Sequence, residues 1–202
     1  MWRSRRYNST SRAFGAARSM FANEIRIIGG HWRGRKLRFP GMPGLRPTPD
    51  RVRETLFNWL GQDLSGRATL EPFAGSGALS LEALSRGASL AVAVDRRRAL
   101  VSALIDTAAM LGSALLEAHC ADAFKFLARE SRRFDVVFLD PPFDAPAWDR
   151  LLPLAAARLA PGGALYAEAA MTLEAPTGLA VHRRDKAGKV HYHLLRHVGE
   201  AD

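Results

Sequence analysis

Asp140, Pro141, Pro142 and Phe143 follow one another at the end of an apolar run, Val136 to Leu139, and offer a carboxylate, a rigid backbone carbonyl and an aromatic face. An exocyclic amino group on a nucleobase is a poor nucleophile because its lone pair is delocalised into the ring. A carboxylate and a carbonyl that accept its two hydrogens favour a localised lone pair aimed at an electrophile. Two consecutive prolines continue neither a helix nor a hydrogen-bonded strand, so the chain must leave rigidly, with the Pro141 carbonyl turned outward. Phe143 supplies the flat surface on which an unstacked base is gripped. Taken alone, the same four residues also describe a strand followed by a proline turn.

Three features upstream sharpen the choice. Gly75-Ser76-Gly77 closes an apolar stretch and lets the backbone approach a ligand with its amides. Asp95, with Arg96 beside it, ends the next stretch and can accept both hydroxyls of a ribose. Asp122 and the Ala123 amide end a third and could read the edge of an adenine. A nicotinamide cofactor competes for this pattern, but its fingerprint wants Gly or Ala three places after Gly77, where Ser80 stands. Asp-Pro-Pro-Phe resembles instead the signature of amino-group methyltransferases that use S-adenosylmethionine. Glu71 followed by Phe73-Ala74-Gly75-Ser76-Gly77 resembles the motif that holds that cofactor, with Glu71 opposite its ammonium.

These residues need strands that end together. Val136 to Leu139 has the unbroken apolar character of a strand buried on both faces of a parallel sheet. Further strands are expected over Thr69 to Phe73, Leu90 to Val94, Leu115 to Cys120 and Ala164 to Glu168. Helices are expected over Ala78 to Ser85, Ala99 to Leu111, Ala123 to Ala128 and Trp148 to Leu159, with Pro161-Gly162-Gly163 as a turn. Asp185 to Gly188 joins two last strands, Leu179 to Arg183 and Val190 to His197, into a hairpin at one sheet edge. The whole reads as an α/β, Rossmann-like, mostly parallel doubly wound sheet over residues 68–202, with an antiparallel C-terminal hairpin.

Ahead of it, residues 24–67 read as a small basic extension: a β-hairpin over Glu24 to Phe39, a Pro/Gly linker from Pro40 to Pro49, and a helix from Asp50 capped by Thr48 or Asp50. Val52, Leu56, Phe57 and Leu60 form its apolar stripe; Arg51 and Arg53 lie off it and are expected outward. Residues 1–23, rich in Arg and Ser without an acid, read as a floppy basic arm, a composition shared with organellar transit peptides; Met20 offers an alternative start.

Residues 1–67 hold 14 Lys and Arg against 4 Asp and Glu; the remaining 135 hold 15 against 16. A near-neutral body with a strongly basic extension implies a polyanionic substrate delivered by that extension. The 202 residues, 48% hydrophobic, suffice for one full core, and no apolar run is long enough to span a bilayer. The lone cysteine, Cys120, rules out an internal disulfide, fits a reducing cytoplasm, and is expected in the core. No metal-ligand cluster stands out; His191 and His193 read as an exposed sheet face.

With these residues assembled, the chain resembles the RsmD family from about Ile25 to Val198. The resemblance rests on Arg26-Ile27-Ile28-Gly29-Gly30 with Arg33-Gly34-Arg35, on Arg46-Pro47-Thr48-Pro49-Asp50-Arg51-Val52-Arg53-Glu54, on the glycine loop continuing into Leu81 to Ala88, and on Asp140 to Phe143. Glu71-Pro72 and Asp95 depart from the family's usual Asp-apolar pair and Glu but keep the carboxylates. The resemblance implies transfer of a methyl group from S-adenosylmethionine to the N2 amino group of a guanine in 16S ribosomal RNA, the substrate being a small-subunit ribonucleoprotein particle. Asp140, Pro141, Pro142 and Phe143 would be catalytic. Glu71, Phe73, Ala74, Gly75, Ser76, Gly77, Asp95, Arg96, Asp122, Ala123 and Asp140 would bind cofactor. Arg26, His31, Trp32, Arg33, Arg35, Lys36, Arg46, Thr48, Arg51 and Arg53 would bind RNA, with Trp32 equally able to pack on the domain. A cytoplasmic monomer is expected. A DNA adenine-N6 methyltransferase and a non-catalytic RNA-binding protein are the rivals.

Overall fold

The apolar run 136–139 alternates between two hydrophobic cores, and that alternation organises the fold. Val136 and Phe138 pack on one side with Leu56, Phe57, Leu79 and Tyr166; Val137 and Leu139 pack on the other with Val92, Leu127, Leu151 and Leu165. Side chains of successive strand residues point to opposite faces, so an unbroken apolar strand requires cover on both. The computed structural model describes residues 23–42, 45, 48–142 and 147–199; residues 1–22 of the expected arm 1–23, Arg46 and Phe143 lie outside them, while Asn23 belongs to the first strand.

In chain order the elements are β1 (Asn23–Arg26), β2 (Lys36–Phe39), α1 (Asp50–Trp59), β3 (Ala68–Glu71), α2 (Ala78–Ser85), β4 (Leu90–Asp95), α3 (Arg98–Met110), β5 (Leu116–Cys120), α4 (Ala123–Arg129), β6 (Phe134–Leu139), α5 (Trp148–Ala156), β7 (Leu159–Ala169), β8 (Leu179–Ala187) and β9 (Val190–His197). Strands β3 to β9 form one sheet in the order β5-β4-β3-β6-β7-β9-β8. The first five are mutually parallel; β9 runs antiparallel between β7 and β8. Because the parallel strands share a direction, their C-terminal ends form one rim, where open α/β sheets bind ligands.

The basic hairpin β1-β2 pairs antiparallel, Ile25 opposite Leu37. Ile25, Ile27, Leu37 and Phe39 pack against Ala74, Ala78, Leu81 and Leu104, so this extension shares a core with the sheet's glycine loop and its flanking helices. Its turn docks elsewhere: the His31 amide donates to the Ser85 carbonyl at 2.6 Å and the Trp32 amide to Ser85 Oγ at 2.9 Å. Ser85 ends α2, which runs back from the rim, so the hairpin's tip lies toward the opposite end of the domain.

Several expectations need correction. Pro161-Gly162-Gly163 is not a turn between a helix and a strand: β7 starts at Leu159 and carries these residues as a bulge, Leu159 pairing with Phe134 and Ala164 with Val136. Gly162 has φ +74°, and a Cβ on Gly163 would stand 2.8 Å from the Ala160 carbonyl, so the bulge needs both glycines. Strand β8 runs on through Asp185, Lys186 and Ala187 of the predicted turn, leaving Gly188 with Lys189 as the connection. Cys120 is exposed because β5 is an edge strand. His193 is buried rather than on an exposed face: its Nε2 accepts from the Leu173 amide and Nδ1 lies 3.4 Å from the Ala167 carbonyl, while burial lowers its pKa. Neither Thr48 nor Asp50 caps α1. Pro49 holds that position without a side-chain bond, and Asp50 is the first helical residue.

Candidate active site

The rim gathers most of the acids singled out in the sequence. Glu71 is the last residue of β3, Asp95 the last of β4, Asp122 precedes α4, and Asp140 follows β6. Glu71 is buried, and Oε2 accepts from the Ser80 amide at 3.0 Å and from the Ser80 hydroxyl. Ser80, noted in the sequence only as a departure from the nicotinamide fingerprint, thus holds the rim carboxyl from the first turn of α2. Burial, reinforced by the charges of Asp140 and Asp95 and opposed by the Ser80 bonds, pushes the Glu71 pKa up to about 8.

Gly75 and Gly77 have φ of +53° and +72°, a region that penalises any Cβ. A Cβ on Gly77 would meet Leu104 Cδ1 at 2.3 Å, so this glycine admits α3 against the loop. The Gly75 amide, expected as a donor to a ligand, donates to Asp95 Oδ2 at 3.0 Å. Asp95 is fully engaged within the protein: Oδ1 accepts from the Arg97 amide at 2.8 Å and Nε at 3.0 Å, and Oδ2 accepts from Arg97 Nη2 at 3.1 Å. A ribose would have to displace Arg97, whose side chain is 34% exposed. Arg96 points outward.

Asp122 caps α4, its Oδ1 accepting from the Lys125 amide at 3.0 Å, while Ala123 is buried behind it. Phe73 meets Phe124 edge to face at 6.4 Å, and the Arg150 guanidinium lies over Phe124, making an aromatic wall that the sequence did not announce.

Asp140 is half-buried, and burial raises its pKa to about 6 against the opposing bond from Thr48, whose Oγ1 donates to Oδ2 at 3.3 Å. Pro141 is buried and Pro142 exposed. Beside Asp140, on β7, lies an acid that sequence reasoning missed: Glu168, buried, with Oε1 accepting from the Tyr166 hydroxyl at 2.8 Å. Burial and the Asp140 charge push its pKa to about 8. The available signal was a lone carboxylate near the end of an apolar strand. Among the described residues neither Glu71 nor Glu168 has a cationic partner. A rim with uncompensated buried carboxyls suits a ligand that brings its own positive charge.

The residues assigned to RNA separate into distinct environments. Arg26, Arg33, Arg35, Lys36 and Arg51 are exposed, Lys36 in an ion pair with Glu24 at 2.9 Å. His31 is exposed, whereas Trp32 packs against both cores on its side of the sheet. Thr48 is buried at Asp140. Arg53, expected outward, is fully enclosed: Nη1 donates to Glu82 at 3.3 Å, Nη2 to the Arg26 carbonyl at 2.8 Å and to Asp50 at 2.6 Å, and Nε to the Thr48 carbonyl at 3.3 Å. Glu82 is enclosed too and also accepts from Arg86 and from the Ile28 and Gly29 amides at 2.9 and 2.8 Å. This ionic knot ties hairpin, α1 and α2 together. Contrary to expectation Arg53 is not off the apolar stripe: it stands three, four and seven residues before Leu56, Phe57 and Leu60 and shares their buried face, whereas Arg51 is exposed.

The profile of the family described as conserved hypothetical protein 95 matches residues 25–196. The chain belongs to that family, the RsmD family. Ribosomal RNA small subunit methyltransferase D of Escherichia coli (strain K12) is 42% identical over 192 residues, covering 90% of this chain and 95% of the relative. The protein of that name from Haemophilus influenzae is 37% identical over 59% of this chain and 64% of its own length. A solved structure of the Escherichia coli protein yhhF, described as a candidate methyltransferase, superposes with a TM-score of 0.78 at 42% identity, covering 87% of this chain and 98% of that one. The Thermus thermophilus protein TTHA0928 superposes with a TM-score of 0.71 at 30% identity, covering 85% and 99%. The RsmD-family chain is a methyltransferase with a Rossmann-like fold, and a methyltransferase requires a methyl donor. Among the described residues no helix is long and apolar enough to cross a membrane, and no acidic, His or Cys group could hold a metal ion.

Proposed function

We propose that the chain transfers a methyl group from S-adenosylmethionine to the exocyclic N2 amino group of a guanine in small-subunit ribosomal RNA. The observation that carries this reading is Asp140 with Pro141, placed rigidly at the end of the buried central strand and beside the carboxyls of Glu71 and Glu168, in a chain similar along nearly its whole length to a small-subunit RNA methyltransferase. When bound, the cofactor supplies the methyl group as a sulfonium and brings positive charge that the rim lacks. Glu71 would face its ammonium, Asp95 its ribose once Arg97 moves aside, and Asp122 with Ala123 its adenine. Asp140 and the Pro141 carbonyl hold the amine hydrogens, so the lone pair points away from the ring plane toward the incoming carbon. As the nitrogen–carbon bond forms, the carbon–sulfur bond of the donor would break with its electron pair left on sulfur as a neutral thioether, and the amine would give up one proton, which Asp140 would accept. Catalysis is chiefly positioning. Phe143 would stack on the base. Residues 24–67 would meet RNA through Arg26, Arg33, Arg35, Lys36 and Arg51, with the particle in the cytoplasm as substrate.

The test is methyl transfer from labelled S-adenosylmethionine into small-subunit particles and, separately, into duplex DNA, with the modified base identified by mass. Methylguanosine in the particle RNA is expected. Methyladenine in DNA would overturn the substrate while keeping the rim chemistry. In the same assay Asp140→Ala should abolish turnover and leave cofactor binding nearly intact; lost cofactor binding would remove Asp140 from the role given to it.

A further inference from the structure

Charge counted over residues 68–202 conceals an uneven distribution. Residues 183–189, the end of β8 and the turn after it, hold 4 Lys and Arg against 1 Asp, whereas residues 68–178 hold 10 against 13. The strand pairings carry this cluster to the active site. Leu139 pairs with Ala167, Ala167 with His193 and His193 with Arg184, one row across β6, β7, β9 and β8. Asp140 follows Leu139, and Lys186 pairs with His191, itself opposite Ala169 at the rim end of β7. Three strand spacings of about 4.8 Å put the backbone of Arg184 and Lys186 roughly 15 Å from that of Asp140. Arg184, Lys186 and Lys189 are exposed, and none of them makes an ion pair among the described residues. Asp185 between them is engaged elsewhere, Oδ1 accepting from the Lys186 amide at 2.7 Å and Oδ2 from the Tyr192 hydroxyl at 2.8 Å. The Tyr192 ring lies 5.3 Å from that of Trp59, which fastens the β8-β9 hairpin to α1.

Charges on an edge strand often serve only to prevent pairing with a second sheet. That task needs charge along the whole edge, yet Ala180 and Val181 are exposed and uncharged, and the cations gather on the rim half of β8. An acidic rim repels a polyanion unless cations flank it, and the β1-β2 hairpin turns its tip toward the other end of the domain. From this placement we infer that the β8-β9 hairpin is an RNA-docking surface, on which Arg184, Lys186 and Lys189 grip phosphates flanking the target nucleotide while its base sits at Asp140. The inference deepens the methyl-transfer reading and rests on it. Roughly 15 Å exceeds the screening length of about 8 Å at physiological salt, so these cations act on phosphates that touch them and leave the chemistry at Asp140 alone. Their loss weakens substrate binding, not turnover at saturation.

Charge removal tests it, with R184Q/K186Q/K189Q set beside R98Q/R129Q, a control that removes exposed charges from α3 and α4. With small-subunit particles and labelled S-adenosylmethionine, the triple variant should raise the particle KM roughly tenfold, change kcat by less than about twofold, and lower the salt slope of ribosomal RNA binding by about 2. R98Q/R129Q should do none of these, and R184K/K186R/K189R, which keeps the charge, should stay near wild type. Thermal unfolding and calorimetric affinity for S-adenosylhomocysteine should be unchanged in all three. A wild type that methylates the particles beside a triple variant with unaltered KM and salt slope would overturn the surface and leave the methyl-transfer reading standing. So would an equal loss in R98Q/R129Q, or a triple variant that self-associates in size-exclusion chromatography with its salt slope unaltered, which would make the cations guards of the edge. A wild type that transfers nothing to the particles would overturn the reading itself and this surface with it.

Discussion

Arg53 separates a structural from a recognition role most sharply. Replacing it with Met keeps volume but removes the donors to Glu82, Asp50 and the carbonyls of Thr48 and Arg26. Breaking a buried ion pair costs about 3–5 kcal/mol. Arg86 still neutralises Glu82, with Nε and Nη2 at 3.0 and 2.9 Å, so the lower end applies, about 3 kcal/mol. For a chain of this size that is a fall in Tm of roughly 6–12 °C. Glu82→Ala strands two arginines and two backbone amides and should reach the upper end, about 5 kcal/mol. Arg51, two residues earlier and exposed, is the control: Arg51→Met should change stability by no more than about 0.5 kcal/mol. Thermal unfolding and RNA titration on the three variants decide the matter. An R53M protein as stable as wild type but defective in RNA binding would refute the enclosed knot and restore Arg53 to the RNA-facing set.

Cofactor binding should be proton-linked. With its pKa raised to about 8, Glu71 is mostly protonated at pH 7 and must ionise to face an ammonium. One proton is then released, and affinity climbs up to about tenfold per unit between pH 6 and 8 before levelling. Calorimetry in buffers of different ionisation enthalpy would detect the release, and E71Q should abolish it; buffer-independent heats in wild type would contradict the assignment. The same raised pKa means the folded state binds this proton more tightly than the unfolded chain, so its stabilising contribution is full below about pH 4 and lost as pH rises through 8. Gly77→Ala, with φ +72° and Leu104 Cδ1 at 2.3 Å from the new Cβ, should cost about 2–4 kcal/mol in a denaturant titration. Neutralising Arg33, Arg35 and Lys36 together should weaken RNA binding and lower the salt slope by about 2; an unchanged slope would mean the hairpin faces something else.

The order of strands and helices, the parallel sheet and the acids at its rim were readable in one dimension, because they are local. An apolar run of β-branched and aromatic residues must be covered on both faces, and a proline pair must end it, whatever the rest of the chain does. Periodicity could not say what partner would neutralise a charge on a buried helix face. Arg53 shares the face of Leu56, Phe57 and Leu60 by helical spacing, but its charge reads as solvated until Glu82 arrives from 29 residues away to neutralise it. Pro161-Gly162-Gly163 reads as a turn by composition, but pairing with β6 turns it into a bulge. Cys120 and His193 exchanged expected environments because edge and interior positions are set by strand order, which a strand's own residues do not state. The sequence by itself determined the fold class, the rim and the identity of Asp140 with its prolines. Only the tertiary structure decided what those acids touch: Glu71 with Ser80, Asp95 with Arg97, and Asp140 beside Glu168 under Thr48. Such contacts join residues far apart in the chain, and their energies depend on burial, which exists only once the sheet and its helices have packed.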